Sequence, residues 1–125
     1  MRKAVHTANA PQPQGPYSQA IVQGDFVFVA GQGPINPATG KRELGDARSE
    51  TKRIFENIRA ILEAAGSSLE RVVKCNIYCT DAARFDEFNE VFARYFPAGS
   101  PARIFLCVGA FPGSFDLEVD CIAVL

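Results

Sequence analysis

Two stretches of this chain repeat apolar residues every three or four positions, and a stretch of strict alternation lies between them. Thr51, Ile54, Ile58, Ile61 and Ala65 recur at helical spacing and predict a one-sided helix over Ala47 to Ala65. Asp46 stands where an N-cap oxygen is needed, and Gly66 supplies the stop. Phe85, Phe88, Val91, Phe92 and Tyr95 repeat the pattern in a second helix, begun by Thr80 or Asp81 and ended by Pro97. Between the helices, Val73, Cys75, Ile77 and Cys79 alternate with Lys74, Asn76 and Tyr78, the two-residue period of a strand from Val72 to Thr80. A helix with one apolar stripe must bury that stripe, and a sheet is the surface on offer.

The remaining segments supply that sheet. Ala20–Gln23 and Phe26–Ala30 flank Gly24-Asp25, a tight-turn pair, and predict a hairpin. Gly31-Gln32-Gly33-Pro34 ends it; with no lysine and no following helix, this is not a phosphate loop. The stretch from Ala8 to Ser18 carries Pro11, Pro13 and Pro16 and predicts an extended loop from which Tyr17 projects. Arg103 opens an apolar strand through Val108, and a last strand starts at Phe115 and runs through Cys121. The order is strand, strand, helix, strand, helix, strand, strand. It predicts an α+β domain over residues 1–125, with both helices on one face of a largely antiparallel sheet. The other face then leaves side chains such as Ile122 and Val124 uncovered, which predicts a homo-oligomer.

Charge and cysteine content narrow the function classes. The net charge of -1 offers no basic excess to follow a nucleic-acid backbone. No stretch is apolar enough to span a membrane, and Met1–His6 is basic without the apolar core of a signal peptide, so a cytoplasmic protein is expected. Cys75, Cys79, Cys107 and Cys121 all fall in predicted strands, which suits reduced, buried thiols. His6 is the only histidine, so a zinc site or a Ser-His or Cys-His nucleophile lacks partners, and no metal is expected.

The chemistry concentrates near the C-terminus. Gly109, Pro112 and Gly113 mark a turn, so the last two strands are expected to form a hairpin. If Val108 closes it opposite Gly113, Arg103 and Glu118 stand opposite each other on one face. A guanidinium fork suits a substrate carboxylate, and a carboxylate can handle a proton or a water. The same pair also reads as an ordinary cross-strand ion pair. Tyr17 by itself reads as a packing residue, Asn89 as a helix-edge residue, and the aromatic stripe around it as core.

The motifs Gly15-Pro16-Tyr17-Ser18-Gln19-Ala20, Gly31-Gln32-Gly33-Pro34, Leu62 to Leu69, Val72-Val73-Lys74, Phe88-Asn89-Glu90-Val91, Tyr95-Phe96-Pro97, Pro101-Ala102-Arg103 and Glu118-Val119-Asp120 stand in an order and spacing similar to those of one family. Nearly end to end, the chain resembles the RidA/YjgF family, the reactive intermediate deaminases. The resemblance implies a chorismate-mutase-like α+β fold and a homotrimer whose sheets pack into a central barrel with three inter-subunit clefts. It implies cofactor-free hydrolysis of 2-enamines and 2-imines, such as 2-aminoacrylate, to 2-keto acids and ammonia. It places carboxylate binding on Arg103 and water activation on Glu118, with Tyr17, Asn89 and backbone groups around Gly31 and Phe105 lining the site. Ala30 and Phe105 depart from the Ser and Cys of many relatives, which predicts an altered pocket. Three other functions remain open: a metabolite-binding or chaperone-like trimer, a pathway-specific deaminase of a larger substrate, and an endoribonuclease, which the charge balance and the lone His6 disfavour.

Overall fold

The computed structural model describes residues 1–125. Its strands are β1 (Lys3–Val5), β2 (Ala20–Gln23), β3 (Phe26–Gln32), β4 (Val72–Cys79), β5 (Ala102–Cys107) and β6 (Leu117–Val124). Its helices are α1 (Ala47–Ala64) and α2 (Phe85–Tyr95). The Asp46 carboxylate accepts from the Ser49 N–H at 2.8 Å and caps α1 as expected. Asp81 caps a short 3-10 turn, Ala82–Arg84, that leads into α2.

The six strands form one sheet in the order β1-β2-β3-β6-β4-β5. Both helices cover the same face. Ile54, Phe55, Ile58, Ile61 and Leu62 of α1 and Phe88 and Phe92 of α2 are buried with Val27, Val29, Cys75, Ile77, Leu117, Val119 and Cys121 of the sheet. Phe55 holds the two helices together, its ring edge-on to Phe92 at 5.6 Å and to Phe96 at 5.8 Å between centroids.

The sheet corrects the expected hairpin. β6 lies between β3 and β4, antiparallel to both, and β5 runs parallel to β4 at the edge. The chain does reverse between β5 and β6, but across β4 rather than beside it. Both ends of the connection are tied to the end of β4: the Val108 N–H donates to the Cys79 carbonyl at 2.8 Å and the Thr80 N–H to the Asp116 carbonyl at 3.0 Å. Arg103 therefore pairs with Cys75 and Glu118 with Tyr78. Cys75 is buried under the helices, whereas Tyr78 lies on the uncovered face. Arg103 and Glu118 project from opposite faces of the sheet, not from one.

Two bulges shift the expected alternation. The register slips between Val72 and Lys74, so Val72 takes the buried position and Val73 is 45% exposed. A second slip falls between Val29 and Gln32, at Ala30-Gly31. Cys75, Cys79 and Cys121 are buried free thiols, but Cys107 is exposed on the edge strand. The uncovered face carries Phe26, Phe28, Ile104 and Leu106, all more than two-fifths exposed, beside half-buried Ile122 and Val124.

Candidate active site

The bulge at Ala30-Gly31 brings backbone against Glu118. A Cβ on Gly31 would stand 2.8 Å from Glu118 Cδ, so a side chain there would push the carboxylate from its present position. Glu118 and Gly31 line a cavity of about 540 Å³ with Tyr17, Gln14, Arg42 and Phe115. Tyr17 is held in the loop by its hydroxyl, which accepts from the Gln14 N–H at 3.2 Å. Burial, with a smaller contribution from Asp120, holds the Glu118 carboxyl above its ordinary range. A carboxylate in that state is a better proton acceptor than one in open water. Asp120 is itself fixed by donations from Asn76 at 2.7 Å and the Tyr78 hydroxyl at 3.1 Å.

Arg103 lies at a separate place, where β5 meets α2. Its guanidinium donates to Asn89 Oδ1. Its Cζ sits 4.9 Å from the Phe92 ring centre, 5.6 Å from Phe85 and 5.7 Å from Phe88, three cation–π contacts that orient the fork. Phe105, two residues on, stands edge-on to Phe85 and Phe88. Arg103 takes part in no ion pair within the chain. Burial lowers its pKa somewhat, but a guanidinium remains charged at any physiological pH.

The expected site residues thus form two clusters. Tyr17, Gly31 and Glu118 share one cavity; Arg103, Asn89 and Phe105 share one side of α2. Sequence reasoning assigned no role to Gln19, yet its buried amide shapes the first cluster. It donates to the carbonyls of Thr7 (3.0 Å), Ala10 (3.3 Å) and Pro11 (2.9 Å) and accepts from the Thr7 N–H at 2.7 Å, pinning the N-terminal loop to the sheet. No periodicity announces such a residue; the only signal is an amide next to a proline-rich stretch whose backbone groups need partners.

A family model described as Endoribonuclease L-PSP matches residues 7–125. The chain belongs to this family, the RutC/YjgF/RidA family. A RutC family protein of Pyrococcus horikoshii is 47% identical over 123 residues, 98% of each chain. A solved Thermotoga maritima structure with a provisional endoribonuclease assignment superposes with a TM-score of 0.96 at 45% identity, covering 100% of this chain and 98% of that one. The structure of E. coli TdcF with bound serine superposes with a TM-score of 0.93 at 34% identity over 98% of both chains. Against this RidA-family background, Ala30 sits in the bulge, its N–H donating to the Gln19 carbonyl at 2.9 Å. The Phe105 ring packs edge-on against Phe85 and Phe88 of α2, which partly bury it.

Proposed function

We propose that the deaminase chemistry of the RidA family, hydrolysis of reactive 2-enamines and 2-imines to 2-keto acids and ammonia, takes place in a cleft that two copies of this chain build together. The reading rests on one observation: Arg103 and Glu118, an anion-binding fork without a carboxylate and a carboxylate with a raised pKa, point from opposite faces of one sheet. Each is half of a site. A homotrimer of the chorismate-mutase-like kind, its sheets packed around a central barrel, covers the apolar face of Phe26, Phe28, Ile104 and Leu106 and sets the half-sites of neighbours against each other.

In the assembled cleft, Arg103 and Asn89 of one copy hold the substrate carboxylate by charge-assisted hydrogen bonds. Glu118 of the next copy takes a proton from a water, whose oxygen forms a bond to the imine carbon. That proton passes to the imine nitrogen to give a carbinolamine. The carbinolamine hydroxyl proton then follows to the same nitrogen through Glu118, the C–O bond becomes the keto carbonyl as the C–N bond breaks, and ammonia leaves the keto acid. The imine carbon is already electrophilic, so position and one general base suffice, and the reading calls for no cofactor. Tyr17 and the Gly31 backbone line the Glu118 side. An endoribonuclease reading has weaker support: neither half-site holds a histidine, and His6 is engaged with Gln12 at 2.6 Å in the N-terminal loop.

Arg103→Ala and Glu118→Gln should each lower turnover about a hundredfold or more. The two inactive proteins, unfolded together and refolded at equal ratio, test the shared cleft. Random mixing restores one intact site in four, so about a quarter of wild-type activity should return. No recovery in mixed trimers would place both residues of a site in one chain and sink the proposal.

A further inference from the structure

We propose that the site accepts 2-imino and 2-enamino acids whose side chain ends in a second anionic group, a carboxylate above all, and that Arg42 is the residue that selects them. The inference rests on the deaminase reading and deepens it by naming a substrate class. Its basis is the charge inventory of the Glu118 cavity. Among the lining residues, Glu118 is the only anion and Arg42 the only cation. The two do not pair: Arg42 takes part in no salt bridge and its side chain makes no hydrogen bond within the chain. A cavity of about 540 Å³ falls in the range of roughly 300–1,000 Å³ that holds drug-sized ligands. The imines of serine and alanine occupy only a small part of that space.

Arg42 is presented by a braced backbone, not by a loose loop. It forms an isolated antiparallel bridge with Ile35. The flanking N–H groups of Asn36 and Glu43 donate to Lys41 at 2.8 Å and Pro34 at 2.7 Å. Asn57, fully buried in α1, anchors the hairpin by donating to the Ile35 carbonyl at 2.9 Å. On the other side, a Cβ on Gly113 would meet the Phe115 ring at 2.4 Å and the Arg42 Nη2 at 3.3 Å, so the Arg42 guanidinium lies against the loop that closes the cavity wall. Arg103 supplies a carboxylate clamp for C1 of the substrate. Arg42 supplies a second one, on the Glu118 side, for the far end of the molecule. The reaction is unchanged: water adds at C2, ammonia departs, and the distal carboxylate carries through to a 2-keto dicarboxylic acid.

The test compares two imines made in situ by flavin-dependent oxidases with catalase present: 2-iminosuccinate from D-aspartate and 2-iminopropanoate from D-alanine. Semicarbazide capture reports how fast each imine disappears. Wild-type protein should hydrolyse 2-iminosuccinate at least as efficiently as 2-iminopropanoate. Arg42→Gln should lower the ratio of the two kcat/KM values about tenfold or more, equivalent to about 1.4 kcal/mol of discrimination. Arg42→Glu should lower it further, and Arg42→Lys should recover part of it. A ratio unmoved by Arg42→Gln, or wild-type activity on 2-iminopropanoate alone, overturns the assignment of Arg42 while leaving the deaminase reading intact. Activity on neither imine overturns the deaminase reading itself, and this inference with it.

Discussion

Glu118 is a carboxylate whose ionisation the fold opposes. Burial raises its pKa above the ordinary 4.5, with Asp120 adding like-charge repulsion. The folded protein therefore holds this proton to higher pH than the unfolded chain, and stability falls as pH rises from the ordinary value through the raised one. At neutral pH the charged group is a net destabiliser retained at the site. Glu118→Gln should raise the melting temperature at neutral pH, and the difference should vanish below about pH 4, where the carboxyl is protonated in both states. Calorimetry over that range checks the sign. The wild-type pH–rate profile should show an acid limb whose midpoint lies above the usual carboxylate range, because only the ionised Glu118 accepts a proton. The residue types were legible in the sequence, because an arginine opening one strand and a glutamate inside another are unusual among apolar neighbours. Their surroundings were not. Gln19 and Asn57 act through hydrogen bonds to distant backbone groups, and no local pattern encodes those partners.

Among the elements, the helices were read most directly from sequence, since a 3.6-residue period needs only local spacing to be recognised. Asp46 is a case where sequence and structure agree atom for atom. Asp46→Ala should cost about 1 kcal/mol, read as a shift in the urea midpoint at constant slope, because the Ser49 N–H loses its acceptor. The strands were legible as strands, but not their partners. Gly109, Pro112 and Gly113 report that the chain turns back; they carry no information on whether another strand occupies the gap. β4 does, and its end receives both ends of the loop. The bulges at Val72–Lys74 and Val29–Gln32 escaped for a related reason. One added residue inverts the parity of a strand, and its presence is set by the neighbouring strand. β1 is three residues long and pairs only with β2, too short for alternation to mark it.

At the scale of the whole molecule, the sheet has one face under two helices and one without cover. Phe26 and Phe28 lie tilted to each other along β3 with ring centres 6.2 Å apart, and Ile104 and Leu106 add apolar surface on the far edge strand. Phe28→Asp places a charge on that surface and should dissociate the proposed trimer with loss of deaminase activity. Light scattering after size exclusion reads the mass directly; an intact, fully active trimer would show that this face is not the subunit contact. No helix is long and apolar enough to cross a membrane.

The sequence by itself determined the α+β class, the facing of both helices, the extent and cap of α1, and the residue types available for binding a carboxylate and moving a proton. These follow from spacing and side-chain chemistry, which are local. Helix α2 starts later than expected, at Phe85, because Asp81 caps a 3-10 turn ahead of it. The tertiary structure decided strand order, the parallel pairing of β4 with β5, the bulge that admits Glu118 beside Gly31, and the placing of Arg103 and Glu118 on opposite faces. Those depend on which distant segments share hydrogen bonds, and strand pairing is a choice among backbones that are chemically alike.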